Sequence, residues 1–296
     1  MKRLCIYFIY DSTGFVDRYI LAVLREMRPH VADLLVVSNG KLQAEGIRGI
    51  ESITDKVIIR ENTGFDVWAY KTALDSVGWD GLAEYDEVIL MNYTLIGPIF
   101  PLDEMFSEMS RRDLDFWGVT KCFRLDSDEC AKAWGNPLGY IPEHIQSSFM
   151  AYRRRFVSSD EFRRYWDEMR PIKSYQESGA LHEQMFTKRF ADKGFVWDCY
   201  TDYSKAGFNP AVTGGCPLVT CPLECVRDLG TPFVKRRSFF TSLAEFPSTS
   251  QYRQELLDYL RDECKFDVSL IYDCLIRSYH QRTLANSLVR RHFLEG

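Results

Sequence analysis

"KVIIRENTGFDVWAYKTAL" (residues 56–74) decides the fold. Its first five residues, Lys56 to Arg60, hold a Val and two Ile in a row, the composition of a buried strand. From Val67 to Val77 the apolar residues Val67, Tyr70 and Leu74 recur at helical spacing. Between the two lie Arg60, Glu61, Asn62, Thr63, Gly64 and Asp66. The stretch is therefore a strand, a polar turn and a helix, and its exit turn is unusually rich in hydrogen-bonding groups.

The same alternation extends to both sides. LCIYFIY (4–10), ADLLVVSNG (32–40), EVILMNYT (87–94) and DFWGVTK (115–121) read as strands. Gly14 to Met27 carries Phe15, Tyr19, Ala22, Val23 and Leu24 at helical spacing. HIQSSFMAYRRR (144–155) reads as one further strand, and SSDEFRRYWDEM (158–169) as a helix capped by Ser158 or Ser159. HEQMFTKRFADKGF (182–195) is a helix that Gly194 closes, and FVWDCYT (195–201) a short strand. Helical spacing returns after Ser242. The expectation is an α/β domain with a mostly parallel central sheet flanked by helices, followed by a C-terminal helical portion.

Composition narrows the function classes. The chain has 296 residues, 46% hydrophobic and 27% charged, as in a soluble globular protein. A net charge of −5 argues against a general nucleic-acid binder. The opening MKRLCIYFIYDSTG has an apolar run that Asp11 ends too early for a signal peptide, and no stretch reaches the ~18 apolar residues of a membrane span. A cytoplasmic protein is expected, with contact at the inner face of the membrane as one option. The nine cysteines are odd in number and irregularly spaced, which reads as reduced thiols. Cys216, Cys221 and Cys225 form the tightest group, without a nearby histidine to complete a zinc site.

In an open α/β sheet, ligands bind at the carboxyl ends of the strands. Three such exits are polar here: Tyr10 to Gly14, Arg60 to Asp66, and Asn92-Tyr93-Thr94 followed by Gly97-Pro98. Each alone could be a cap or a turn. Three in one sheet point to a nucleotide-type site. The first exit reads DSTGFVD, without the glycine fingerprint of a dinucleotide fold, and no P-loop is present. What remains is a sugar-nucleotide transferase.

RENTGFDVWAYKTAL, then YDEVILMNYTLIGPIFPLDEMF, DFWG and HIQSSFMAYRRRFVSSDEFRRYW, in this order, resemble the rhamnan synthesis protein F family of bacterial glycosyltransferases. The resemblance covers roughly residues 4 to 240. It implies a GT-A-like domain over residues 1–240, with residues 241–296 as a helical extension packed on it. It also implies inverting transfer of L-rhamnose or a related sugar from a nucleoside diphosphate donor, dTDP-rhamnose first, to a growing cell-surface polysaccharide. The acceptor could be lipid-linked. The alternative is a non-catalytic sugar-nucleotide or glycan-binding module that partners an active transferase.

The resemblance also assigns residues. Asn62, Gly64, Ala69 and Lys71 fit the E-N-x-G pattern of inverting GT-A transferases. Asp11 and Asp66 would face the nucleoside, with Arg60 beside them. Where such enzymes carry Asp-x-Asp for Mg²⁺ or Mn²⁺, this chain has Asn92, Tyr93 and Thr94, which are weak ligands for a hard dication. Metal-independent transfer is then an option, with Lys235, Arg236 and Arg237 as candidate cations for the leaving diphosphate. The catalytic base is expected eleven residues before Gly194, at Glu183, with Glu177 as the second candidate. His144, Gln146 and Ser147 would line the acceptor cleft, and Trp117 and Trp134 could offer sugar-stacking faces, although most of the six tryptophans are expected in the core. The tail LIRSYHQRTLANSLVRRHFL (275–294) could lie at a membrane interface or pack on the domain, and packing is the simpler expectation.

Overall fold

The computed structural model describes residues 1–207, 215–240 and 249–278. Eleven short strands are present among them: β1 Arg3–Tyr10, β2 Asp33–Asn39, β3 Lys56–Arg60, β4 Glu87–Asn92, β5 Leu95–Ile96, β6 Phe116–Gly118, β7 Lys121–Cys122, β8 His144–Ile145, β9 Phe149–Arg153, β10 Trp197–Cys199 and β11 Val234–Lys235. Seven of them form the main sheet, in the order β10-β6-β9-β4-β1-β2-β3. Pairing is parallel from β4 through β1 and β2 to β3, and between β10 and β6; β9 alone runs against its neighbours. The sheet is thus mostly parallel, as expected.

Central strands read as unbroken apolar runs because both faces are covered. Along β1, Cys5, Tyr7 and Ile9 enter one core, and Leu4, Ile6 and Phe8 enter the other. The pleat sends alternate residues to opposite faces. Ile89 and Met91 of β4 join the first core, and Val88 and Leu90 the second. Helices α1 (Arg18–Met27) and α5 (Leu102–Arg111) cover the first face through Tyr19, Val23, Leu24, Met105 and Phe106. The short helix α2 (Ala44–Glu51) covers its flank through Ile50, whereas α4 (Trp79–Ala83) packs on the second face through Leu82. The second face lies under α3 (Phe65–Val77), α8 (Asp160–Asp167) and α10 (Gln184–Ala191), through Tyr70, Leu74, Phe162, Phe186 and Phe190. Each such side chain contributes about 1.5–3 kcal/mol by leaving water.

One charge is fully buried at the amino end of β4. Glu87 accepts from Arg3 Nε at 2.8 Å and Trp117 Nε1 at 2.8 Å, and lies 3.0 Å from Arg153. A buried carboxylate survives only when paired and hydrogen-bonded in this way. The pairing also fixes Trp117, fully buried, as a core residue and not a sugar-stacking face.

Three expectations are corrected. The run 144–155 is not one strand. β8 pairs with β7 in a separate small sheet, β9 joins the main one, and Gln146 to Ser148 turn between them. The first helix starts at Arg18 and not Gly14, because the Asp11 carboxylate accepts the amides of Thr13 and Phe15 and holds a turn there. The thiols are not all reduced. Cys122 and Cys216, 4.4 Å apart at Cα, are joined in a disulfide, because β7 runs beside the loop that carries Cys216.

The Thr249–Asp262 helix and a second helical segment at 269–278 place Leu256, Leu260, Ile271 and Cys274 in the same core as β1. Arg277 joins two carboxylates at the first strand's exit, meeting Asp11 at 2.9 Å and Asp17 at 2.6 Å. The tail 275–294, expected to pack on the domain with a membrane interface as the other option, falls mostly outside the described residues. Among the described residues, no helix is long and apolar enough to cross a membrane.

Candidate active site

The third strand leads into α3 through Gly64, at φ 68°, and Phe65, at φ 58°. Only glycine serves at position 64, since a Cβ there would lie 2.4 Å from Trp68 Cβ. Phe65 pays for its left-handed backbone with roughly 1–3 kcal/mol, a strain typical of functional turns. The turn delivers Asp66 in the first turn of α3, where the helix dipole favours a carboxylate. Its Oδ1 accepts the Val67 amide at 3.0 Å and its Oδ2 accepts Asn92 Nδ2 at 3.2 Å.

Asn92 ends β4 and continues the network. Its Oδ1 accepts the Thr94 amide at 3.1 Å and the Thr94 hydroxyl at 2.5 Å. β11 pairs antiparallel with β5, setting Lys235 opposite Leu95, so that Lys235 Nζ donates to Thr94 Oγ1 at 3.2 Å. Residues 66, 92, 94 and 235 are thereby joined from three separate parts of the chain.

Glu183 approaches from the other side. It ends a π-helical turn, Ser178–Glu183, that leads into α10. Such turns are rare and concentrate at functional sites. Glu183 Oε2 accepts the Ser147 amide at 3.0 Å and also the Ser147 hydroxyl. Asp66, Asn92, Thr94, Lys235 and Glu183 all line one cavity of about 520 Å³. Burial raises the Asp66 pKa, and the facing Glu183 raises it further. Burial lowers the Lys235 pKa, while Glu183 and Asp66 oppose that fall. Lys235 thus shares this cavity with Asp66 and Glu183.

The remaining candidates divide. His144, Gln146 and Ser147 line the same cavity, as does Trp134. The Gln146 amide oxygen is held by the Thr120 hydroxyl at 2.7 Å, and His144 Nδ1 lies 2.7 Å from the Pro142 carbonyl. Asp11 is engaged by Thr13 and Arg277 outside this cavity. Its carboxyl is pulled up by burial, but Thr13 and then Arg277 outweigh this and hold it low. Arg60 bonds Asn39 and the Thr63 carbonyl, and Asn62 is exposed. Lys71 pairs with Asp75 along α3. Tyr93 turns its ring onto Phe8, 5.9 Å between centroids, away from the cavity. Glu177 accepts the Lys173 amide at 2.7 Å, and it too is outside.

Two further residues line the cavity: Tyr70, which the sequence offers only as a helix-face residue, and His182, the neighbour of Glu183. Tyr70 lies one helical turn after Asp66 and shares its face, a spacing that could have revealed it. His182 Nδ1 lies 2.8 Å from the Tyr165 hydroxyl, and burial lowers its pKa to about 4, so the ring is neutral at pH 7.

The donor set does not fit a divalent ion. Mg²⁺ takes six oxygens in near-ideal geometry. Among the described residues, no three His, Cys, Asp or Glu converge. The amide oxygen of Asn92 is spent on Thr94, and the Thr94 hydroxyl meets the Lys235 ammonium.

No curated protein sequence matches the chain. Among solved structures it is similar to glucosyl-3-phosphoglycerate synthase from Mycobacterium tuberculosis with Mg²⁺ and uridine diphosphate. That match has 16% identity and TM-score 0.33, over 52% of this chain and 57% of that one. The chain thus spans little more than half the length of that enzyme. The mannosyltransferase Ktr4p from S. cerevisiae is similar at 14% identity and TM-score 0.34, over 61% and 62% of the two chains. Residues 34–295 match the model of the family described as rhamnan synthesis protein F. That span takes in most of the chain, including every residue of the cavity network, and the protein belongs to the rhamnan synthesis protein F family.

Proposed function

We propose that the protein is an inverting glycosyltransferase that moves L-rhamnose or a related sugar from a nucleoside diphosphate, dTDP first, to a growing surface polysaccharide. The observation that carries this reading is the meeting of Glu183, Asp66 and Lys235 in one cavity at the carboxyl ends of β3 and β4. Membership of a family named for rhamnan synthesis supports the choice of sugar.

In this reading Glu183 removes the proton from an acceptor hydroxyl, and Ser147 fixes the carboxylate that receives it. The freed oxygen attacks the anomeric carbon as the bond to the diphosphate breaks, which inverts that carbon. The departing diphosphate takes the electron pair, and Lys235 neutralises it. Asp66 and Asn92 hold the donor end of the network in place. The acceptor is a glycan, lipid-linked or free, entering beside His144, Gln146 and Ser147.

Glu183→Gln keeps the Ser147 contacts and removes the base. Transfer should fall about 10²–10⁴-fold, while nucleotide binding by calorimetry stays within twofold, about 0.4 kcal/mol. Full turnover in this variant would remove Glu183 from the base role. A second reading, a non-catalytic glycan-binding module, draws on the lack of a carboxylate across Asn92-Tyr93-Thr94. It predicts nucleotide binding with no transfer in the wild type.

A further inference from the structure

The disulfide lies on the cavity wall. Cys122 and Cys216 both line the cavity; Cys122 is buried and Cys216 half-buried. The other seven cysteines are free. One bond among many free thiols differs from the dense bridging of a chain stapled for stability. In a reducing compartment such a bond is usually transient, and serves catalysis or redox sensing.

The bond joins two walls that come from distant parts of the chain. On one side, Cys122 ends β7 and sits opposite His144 of β8. The Thr120 carbonyl, two residues earlier, accepts the Gln146 amide at 3.0 Å. Ser147 follows and holds Glu183 through its own amide. On the other side, Cys216 leads directly into the short helix Pro217–Thr220. That helix packs on β11, and the Ser238 hydroxyl donates to its Leu218 carbonyl at 3.2 Å. β11 carries Lys235. The sulfur pair therefore ties the wall of the carboxylate to the wall of the ammonium. Beside it the Phe123 amide donates to the Gly215 carbonyl at 2.6 Å, a non-covalent contact of modest net strength.

We propose that Cys122–Cys216 is a thiol-exchange site that sets the width of the cavity. Its partner, by chemical class, is a dithiol reductant. One thiolate of the reductant enters from the cavity and attacks Cys216 Sγ, on the more exposed residue of the pair. A new S–S bond forms, and Cys122 leaves as a thiolate and takes up a proton. The second thiolate of the reductant then attacks the reductant's own bonded sulfur, and Cys216 leaves and is protonated. Two electrons pass to the protein, and the reductant ends as a cyclic disulfide. The oxidised form holds the two walls together. The reduced form lets the Cys216 wall move away from β7. The exchange site rests on these walls alone, and its effect on a nucleotide rests on the transferase reading.

The test compares the full chain oxidised and after treatment with dithiothreitol, well below its melting transition. Alkylation with mass spectrometry identifies the freed thiols, and hydrogen exchange reads the walls. The bond should open while the far-UV circular dichroism stays native. Amide exchange should quicken roughly tenfold at 144–148 and 215–220, and remain unchanged along β1 and β2. By calorimetry, dTDP should bind the reduced form roughly three- to tenfold more weakly, because its site is less pre-organised. A variant with serine at both positions should match the reduced form with or without dithiothreitol. A bond that opens only as the chain unfolds overturns the proposal. So does a bond that opens without faster exchange at either wall, or equal dTDP affinity in two forms that both bind it. If dTDP binds neither form, the transferase reading falls, and the exchange rates still decide the thiol site.

Discussion

Replacing Lys235 with methionine tests the electrostatics of the site directly. The methionine keeps the length and the apolar stem but removes the ammonium that meets Thr94 Oγ1 at 3.2 Å. In the wild type that ammonium faces Glu183 and Asp66. Its loss removes one of the cavity's cations, beside two carboxylates, where the proposed diphosphate would enter. A hydrogen bond from a charged donor contributes about 1.5–3 kcal/mol, so dTDP should bind roughly 10- to 150-fold more weakly. Thymidine, which has no phosphate, should bind the variant and the wild type alike. If transfer is measured, its rate should fall about 10²–10³-fold, the range for loss of one group that stabilises developing charge. Calorimetry with thymidine, dTMP and dTDP reads the effect phosphate by phosphate. Unchanged dTDP affinity in Lys235→Met, or an equal loss of thymidine affinity, would refute the assignment of Lys235 to the diphosphate.

Other expectations follow from the same geometry. His182 titrates near 4 in the folded chain and near 6.5 when unfolded, because burial disfavours its charged form. Its contribution is complete above about pH 6.5 and is lost as the pH falls toward 4, at no more than about 1.4 kcal/mol per pH unit. Denaturant titrations over that window should show this slope, and His182→Gln should lack it. Replacing Cys122 and Cys216 with serine should cost ~2–4 kcal/mol, and the melting temperature of that variant should no longer respond to a reductant. Arg277→Met leaves Asp11 and Asp17 unneutralised and should cost about 3–5 kcal/mol. Limited proteolysis would show whether the helices after Thr249 loosen first.

The sheet was legible because its central strands are buried on both faces. β1, β2 and β4 stand out as apolar runs that need only local reading, and β3 reads the same way although it is the sheet's edge strand, with Ile59 exposed and not buried as the run suggests. Asp66, Asn92 and Thr94 were legible as polar exits of those strands. Glu183 came from the resemblance, because nothing local distinguishes it from a first-turn helix acid. What stayed hidden depends on partners far along the chain. HIQSSFMAYRRR looks like one strand until Ser147 is seen to turn toward Glu183, 36 residues on. Trp117 could be a stacking face until Glu87, 30 residues earlier, takes its indole hydrogen. Asp11 resembles a nucleoside ligand until Arg277 is found on it. The Cys122–Cys216 bond spans 94 residues, and odd, scattered cysteines give no clue to it.

The Asp11–Arg277 contact has a consequence for the order in which the protein is completed. The cation is synthesised 266 residues after the carboxylate. Until then the turn after the first strand rests on its own bonds at Thr13, Gly14 and Phe15 and on those from Gln43. β1 can pair with β2 and β4 well before this happens. A nascent chain can therefore pair the strands of its sheet before the exit of its first strand is neutralised. A chain arrested before Arg277 would carry an assembled sheet with two uncompensated acids at one strand end, a difference that ribosome-stalled intermediates should reveal by hydrogen exchange at residues 11–17.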